Sequence, residues 1–461
     1  MSLLGAIQTG ARGLSVASAG IDVTTQNVTG ASTPGYTRRT LRTEQLSPVE
    51  QRGLFVGQGA NPSAVARSAD RLLGVRLIDA TGAQSSSTTL AENLRVAESY
   101  LNSSNSTGIA EALDQIFDAL GTATTDPSDA SLRRGVVHAA EIFAATTSRI
   151  ATGFAETIDA IDEQIGSSLE EVNATLAEVA ALNARIGSQG ATLGPADLLD
   201  RRDQLILDLA GAVGATAELK ADGQAVVYLG GHAIVSAGDW RELGTAEDAD
   251  GNATILVAMD DGALDATNVV GGRLGGLVEA RGEMEGWIED LDAFAFAIAN
   301  AFNAQHALGF DQSGAPGADV FATTATASGA AAGLAVSSAL ADDPSLLAFA
   351  GASTAYGGDG VNLDALLELE DDTTIFASGN ARSALSAITA DVGATVAAAQ
   401  GNEEAQAALV GDLEQLREST AGVDTDEEAT HLLEFQSAYR ASARVISAAD
   451  ELLRALLAIG G

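Results

Sequence analysis

The sequence predicts a mainly α, elongated, multi-domain chain that carries a β-rich inserted domain and pairs its N- and C-terminal helices as a coiled coil. Three observations predict it. Apolar residues recur in a three-four rhythm at both ends, nine aliphatic residues from Ile158 to Ile186 keep a similar step, and short β-branched runs with Asp-Gly and Gly-Gly turns interrupt the helical pattern between 216 and 272.

At the C-terminal end, Leu432, Phe435, Tyr439, Ser442, Ile446, Ala449, Leu453 and Leu456 form one stripe; at the N-terminal end, Leu4, Ile7, Ala11, Leu14, Ser18, Ile21, Thr25 and Val28 form another. Such a stripe runs along one side of a helix for about 40 Å at 1.5 Å per residue. Small residues fill much of each stripe, so each helix depends on packing against something else. Leu4, Ile7, Leu14, Ile21, Val28, Leu432, Phe435, Tyr439, Ile446, Leu453 and Leu456 are therefore the candidate assembly residues. A two-helix coil closed within one subunit is the plainer alternative.

Between the ends, Asn27 to Arg39 (NVTGASTPGYTRR) stops the first helix, because Pro34-Gly35 and the residue before a proline disfavour it. Residues 36–84 read as an extended arm with short strands such as Gly53-Leu54-Phe55-Val56-Gly57, ending in a helix from about Ser68. A second helical pattern runs from about Ser87 to Leu120, and Asp126-Pro127 starts a third with proline in its first turn. The third carries Ile158, Ile161, Ile165, Leu169, Val172, Leu176, Val179, Leu182 and Ile186, the pattern of a long packed rod helix. Pro195 opens a helix over 196–213. Its Asp200-Arg201-Arg202-Asp203 cluster reads as a solvated face or ion pairs, not acid-base machinery.

The β-like runs 225–229, 232–236 and 254–257 follow, and helix resumes with Leu277, Met284, Ile288, Leu291, Ala295, Ile298 and Phe302, interrupted by Arg281. Residues 309–375 are Ala- and Gly-rich. Helix returns over 375–420 with Ile388, Val392, Val396, Leu409, Leu413 and Leu416 as core candidates and breaks expected at Gly393 and Gly401-Asn402. In the last helix Thr425 and Glu428 have the spacing of a capping box. The expected division is 1–33 with 423–461 as a terminal assembly domain; 34–215 with 273–308 and 376–422 as a helical rod with its arm; 216–272 as a small β-rich insertion; and 309–375 as an irregular lobe or second small insertion.

Composition narrows the function. With 24 Lys and Arg against 63 Asp and Glu the formal charge is −39, which disfavours nucleic acid and anionic lipid. The first 60 residues, with five Arg against three acids, are the exception. Absent cysteine removes disulfides and thiol chemistry, and no apolar run is long enough to span a membrane. The N-terminus lacks the pattern of a cleavable secretory signal, so export without one is expected. The four histidines, 138, 232, 306 and 431, show no metal-ligand spacing, and Asp311-Gln312-Ser313-Gly314 begins like a calcium loop but lacks the later acids. Gly271 to Gly276 lacks a following Gly-Lys-Ser/Thr and reads as a tight strand-to-helix entry. No catalytic, metal or cofactor site is expected.

The motif Asn27 to Arg38, with Thr33-Pro34-Gly35-Tyr36 at its heart, resembles the motif that follows the first helix in flagellar rod, hook and hook-associated proteins. Three further segments resemble the hook-associated protein 1 (FlgK) family: 198–205 (LLDRRDQL), 272–277 with 302–311, and 417–428 leading into 435–446. The resemblance implies a coiled terminal domain around an export channel, with a helical rod domain and a β-rich domain outside it. It also implies a ring of copies joining hook to filament, hook protein and a second junction protein as neighbours, unfolded export by the flagellar type III apparatus, and a cytoplasmic chaperone on the C-terminal helical region. A hook or rod protein, or a surface adhesin or enzyme anchored by such termini, are the alternatives.

Overall fold

A computed structural model describes residues 3–51, 54–101, 108–189, 195–220, 223–247, 253–259, 264–267, 271–322, 324–354 and 358–459. Helix α1 spans Leu3–Gly30. The arm that follows is a ribbon of β1 (Arg39–Gln45), β2 (Val49–Gln51), β3 (Leu54–Val56) and β4 (Ala60–Arg67), with β1 antiparallel to β4 and β2 to β3. It lies along α1, where Arg12 donates to the Gln58 carbonyl at 2.6 Å.

Helix α2 (Arg71–Leu101) begins where Asp70 Oδ1 accepts from the backbone of Leu72 and Leu73, and it runs unbroken past Ser85-Ser86-Ser87. The boundary expected near Ser87 is therefore absent, and α3 (Ile109–Ala123) is a separate helix. Ser86 and Ser87 are buried because their small size admits neighbours; a Cβ on Gly276 would lie 2.3 Å from the Ser86 carbonyl. Helix α4 (Ala130–Gln189) is capped by Asp129, whose carboxylate accepts from Ser131 and Leu132. Pro127 thus sits in the preceding turn instead of the first helical turn. At 60 residues α4 is about 90 Å long. All nine aliphatic residues from Ile158 to Ile186 are buried, as the rod pattern requires.

Helix α5 (Ala196–Val213) ends at Gly214, where φ is 68°. The insertion then forms a four-stranded antiparallel sheet of β5 (Thr216–Leu219), β6 (Ala225–Leu229), β7 (His232–Ser236) and β8 (Asp239–Trp240), and a three-stranded one of β9 (Leu243–Glu247), β10 (Ala253–Ala258) and β11 (Leu264–Thr267). Two asparagines of α4 fasten these sheets to the rod. Asn183 donates to the Ala225 carbonyl at 2.7 Å and accepts from its N–H at 3.0 Å, and Asn173 does the same with Leu243 at 2.8 and 2.9 Å.

Helix α6 (Gly272–His306) starts with Gly272 at φ 68°, packed so closely on 212–214 that only glycine fits. Arg281, in the middle of its apolar face, is buried but pairs with Asp162 at 3.0 Å and Glu285 at 2.6 Å. The described residues of 309–375 form β12 (Phe321–Ala322), β13 (Ala335–Val336), α7 (Ser338–Asp342), α8 (Val361–Leu367) and two 3₁₀ turns, yet Phe321, Phe349, Leu347 and Leu363 join the rod's own core. Helix side chains hold this lobe by its backbone. Asn303 bonds Val320 and Phe321, Asp292 accepts from Gly329 and Ala331, and Arg133 donates to Leu347 at 2.6 Å with its guanidinium 4.5 Å from the Phe349 ring centre. Burial without a carboxylate in contact pulls the Arg133 pKa down to about 10. His306 is fully buried, with Nδ1 2.5 Å from the Ala318 carbonyl and Nε2 accepting from the Ala348 N–H at 2.7 Å. That arrangement fits a neutral ring, and burial lowers its pKa.

Helix α9 (Ala381–Ala421), capped by Asn380, starts six residues later than expected and does not break at Gly393 or Gly401-Asn402. Interior glycines weaken a helix by about 1 kcal/mol each, but Val392, Val396, Ala399 and Val410 are buried along one side of α9, which packs on α2. Leu409 and Leu416, expected in the core, are 47% and 50% exposed. After Gly422 the chain enters α10 (Thr425–Ile459), which returns along α1.

Candidate assembly interface

On the α1 side the seam between α1 and α10 is made of small residues. Gly10, Ala17, Gly20, Thr24 and Asn27 are the buried positions of α1 on this side, and α10 approaches so closely that added Cβ atoms would collide. A Cβ on Gly20 would lie 2.5 Å from the Phe435 ring, on Gly13 2.5 Å from Ser442 Oγ, and on Gly10 2.8 Å from Ile446. Position 10 facing 446 and position 20 facing 435 make the pair antiparallel. Its seam on α1 is displaced from the stripe expected there.

The larger expected residues of α1 flank that seam. Ile7, Leu14 and Ile21 are half-buried and Val28 is exposed, and their spacing of seven places them on one side of α1, away from the arm that Thr9 and Arg12 meet. Leu4 is 66% exposed. On α10, Leu432, Phe435, Ile446 and Leu453 are half-buried, whereas Tyr439 and Leu456 are exposed. By helical spacing Val445, Leu452 and Leu456 lie on one flank of the seam and Tyr439 and Leu457 on the other; all five are exposed. Thus Leu4, Val28, Tyr439 and Leu456 do not pack in the intramolecular seam, where the glycines of α1 leave room for Phe435 and Ile446 of α10 instead.

The chain passes between this pair and the rod twice, at 31–38 and 422–424. The joint there is polar and buried. Asn27, 1% exposed, donates to the Arg39 carbonyl at 2.9 Å and to Glu428 at 3.0 Å, and accepts from the Arg39 N–H at 2.9 Å and the Tyr36 hydroxyl at 3.0 Å. Glu428, 2% exposed, also accepts from Arg38 Nε at 2.8 Å, while the Arg38 N–H donates to the Ala421 carbonyl at 2.8 Å. Glu428 is therefore not half of a capping box. Asp424 caps α10, accepting from Asp426 and Glu427, and Thr425 is exposed.

Of the expected turn motif, Asn27 and Tyr36 meet in this joint and Gly35 turns the chain with φ 79°. Thr33 accepts from the Tyr36 N–H at 3.1 Å, and Pro34 is exposed. Behind Tyr36, the Arg39 guanidinium lies 4.7 Å from the ring centre and pairs with Asp197 and Asp200. Thr37 donates to Asp200 at 2.6 Å, and Arg67 reaches Asp200 at 3.2 Å and Asp203 at 2.6 Å. Burial raises the Asp200 pKa, opposed by the Thr37 hydrogen bond and the two arginines. Asp200 and Arg202 are buried, so ion pairing and not a solvated face accounts for them, while Arg201 stays outside with Glu178. Sequence reasoning missed Thr37, Arg38, Arg39 and Arg67 as a unit. Charge spacing carried no signal for a network assembled from four elements, although glycine and alanine at 10, 13, 17 and 20 did spell out the small seam.

Among the described residues no group of three His, Asp or Glu side chains is placed to hold a metal, and no helix is long and apolar enough to cross a membrane. The Asp311 carboxylate accepts from Ser313 and Ala315 of its own loop.

Residues 94–321 match the model of the flagellar hook-associated protein FlgK helical domain, and 415–459 that of the flagellar basal body rod FlgEFG protein C-terminal region. The chain is 24% identical to flagellar hook-associated protein 1 of Escherichia coli, over 97% of this chain and 98% of that one. It is 27% identical to the protein of the same name from Bacillus subtilis, over 97% and 96%. The solved structure of the flagellar hook junction protein FlgK from Burkholderia pseudomallei superposes with a TM-score of 0.66 at 18% identity, covering 75% of this chain and 99% of that one.

Proposed function

The chain belongs to the FlgK family of flagellar hook-associated proteins, structural components of the flagellar hook junction, and from that premise we propose that it assembles through the flanks of its α1–α10 pair. The carrying observation is the apolar surface the pair leaves exposed or half-covered: Ile7, Leu14 and Ile21, half-buried, with exposed Val28 on α1, and exposed Val445, Leu452 and Leu456 on α10. A buried Leu or Ile stabilises by roughly 1.5–3 kcal/mol, so covering these flanks with neighbouring copies supplies the energy that a glycine-lined two-helix seam lacks. Leu4 and Tyr439 add to this outer surface, and Phe435, Ile446 and Leu453 build the pair that presents it. In this reading residues 1–33 with 423–461 form the inner assembly domain, the rod and β insertion lie outside, copies form a ring between hook and filament, and neither catalysis nor a cofactor is involved.

The finer partners follow the same reading: hook protein on one side, a second junction protein on the other, and before export a chaperone on the C-terminal helices. A family match that extends through the rod to 321 favours a hook-associated protein over a hook or rod protein.

Ile446→Asp tests it. The substitution puts a charge against Gly10 in the seam and should leave the purified rod folded while abolishing filament growth in cells whose own gene is deleted. The unaltered chain should restore filaments, seen by electron microscopy with the protein immunolocalised at the hook end. Normal filament numbers on Ile446→Asp cells would sink the interface, and curved tubes formed by the purified chain alone would favour a hook protein.

A further inference from the structure

We propose that Asn27, Arg38 and Glu428 form an angular lock that sets the direction of the α1–α10 pair relative to the rod. Three features of the joint point to positioning. First, it is polar where the neighbouring rod is apolar. Asn27, Thr37, Arg39, Asp200, Arg202 and Glu428 are all at least nine-tenths buried. Apolar contacts tolerate sliding and repacking, whereas hydrogen bonds of 2.8–3.0 Å are lost within a small rotation.

Second, the bonds join the parts that would move. Glu428 is on α10, Asn27 on α1 and Arg38 in the connection to the arm, and the Arg38 backbone is tied to Ala421 at the end of α9. One carboxylate therefore holds the terminal pair to the rod across both of its connections. Third, Asn27 is fully committed, with both amide hydrogens donated and its carbonyl accepting twice, so it cannot keep these bonds in another orientation. A buried pair of this kind adds little net stability compared with apolar packing, and the best-attested use of such pairs is to select one arrangement.

Arg38 and Glu428 are thus positioning residues. The consequence for assembly, that copies enter the ring with their flanks in register, rests on the junction reading; the lock itself is a property of the single chain.

The absence of cysteine allows a direct test. Spin labels on Glu414→Cys of α9 and Ser447→Cys of α10, both exposed positions, report the distance between rod and terminal pair in the full-length purified chain by double electron–electron resonance. The expected result is one narrow distance distribution for the labelled parent. Glu428→Gln, which keeps the shape but loses the charge and one acceptor, should broaden it at least twofold with unchanged helix content by circular dichroism. Arg38→Lys, which keeps the charge but not the geometry of the bond, should fall between. A Glu428→Gln distribution as narrow as the parent's overturns the lock. So does a parent distribution already as broad as the variant's, and so does loss of helix content in Glu428→Gln, which would make the residue a folding determinant. Failure of the unaltered chain to restore filaments would count against the junction reading and leave these distances untouched.

Discussion

The rod and the terminal pair are both built of long helices, but they bury different things. In the rod Phe143, Phe154, Phe321 and Phe349 are completely enclosed, and one continuous core runs from α2 through the lobe. Among the described residues of the pair, the buried apolar side chains are Ala17, Val23 and Ala449, and glycines of α1 make the close contacts beside them. The difference teaches that helix length says little about independence. A helix is stabilised by the apolar side it covers, and the pair leaves much of its apolar surface on the outside.

That contrast can be broken by stapling the pair. A Cβ on Gly13 would stand 3.4 Å from Ser442 Cβ, close to disulfide spacing. Gly13→Cys with Ser442→Cys should form a cross-link on oxidation, read on a non-reducing gel, and closing so long a loop stabilises the fold by about 6 kcal/mol in the chain-entropy model. Without a cross-link, the antiparallel register is wrong. Next in size, Phe154→Ala should destabilise the rod by about 3–5 kcal/mol in urea unfolding, because it opens a cavity beside Trp287 and Tyr100.

Acidification sharpens the comparison from the side of the lobe. His306 faces Arg133 on α4 as well as Asp311 and Asp319, and burial, the dominant influence, lowers its pKa. The unfolded chain takes up this proton near pH 6.5 while the folded chain takes it up only at lower pH. Stability from His306 is therefore present above about pH 6.5 and lost as pH falls below it. Urea midpoints at pH 7.5 and 5.5 should differ more in the parent than in His306→Asn; equal differences would remove the histidine from the account. Smallest of all, Leu416→Ser should change rod stability by no more than about 0.5 kcal/mol, since that side chain already meets solvent. A larger loss would place α9 deeper than its exposure indicates.

Much of the rod was legible because periodicity reports which side of a helix is covered: Ile158 to Ile186 are spaced as a buried stripe and all nine are buried. The same rule misread Leu409 and Leu416, since a stripe does not state whether its cover lies in the same chain. It also assigned Leu4 and Val28 to a seam that Gly10 and Gly20 occupy, because hydrophobicity weighs large residues and close approach selects small ones. Glu428 illustrates a further limit. Local spacing with Thr425 suggested a cap, but its partners Asn27 and Arg38 lie some 400 residues away, and no window along the chain contains them.

Helix α4 holds the lobe near Ser148, whose hydroxyl donates to Ala332 at 2.6 Å, and the two sheets at Asn173 and Asn183. It serves as ruler and protractor at once. Each residue added or removed between those anchors changes their separation by only about 1.5 Å but swings one around the other by about 100°. Length variation here is consequently tolerable only in steps that return to the starting azimuth, about seven or eleven residues at a time.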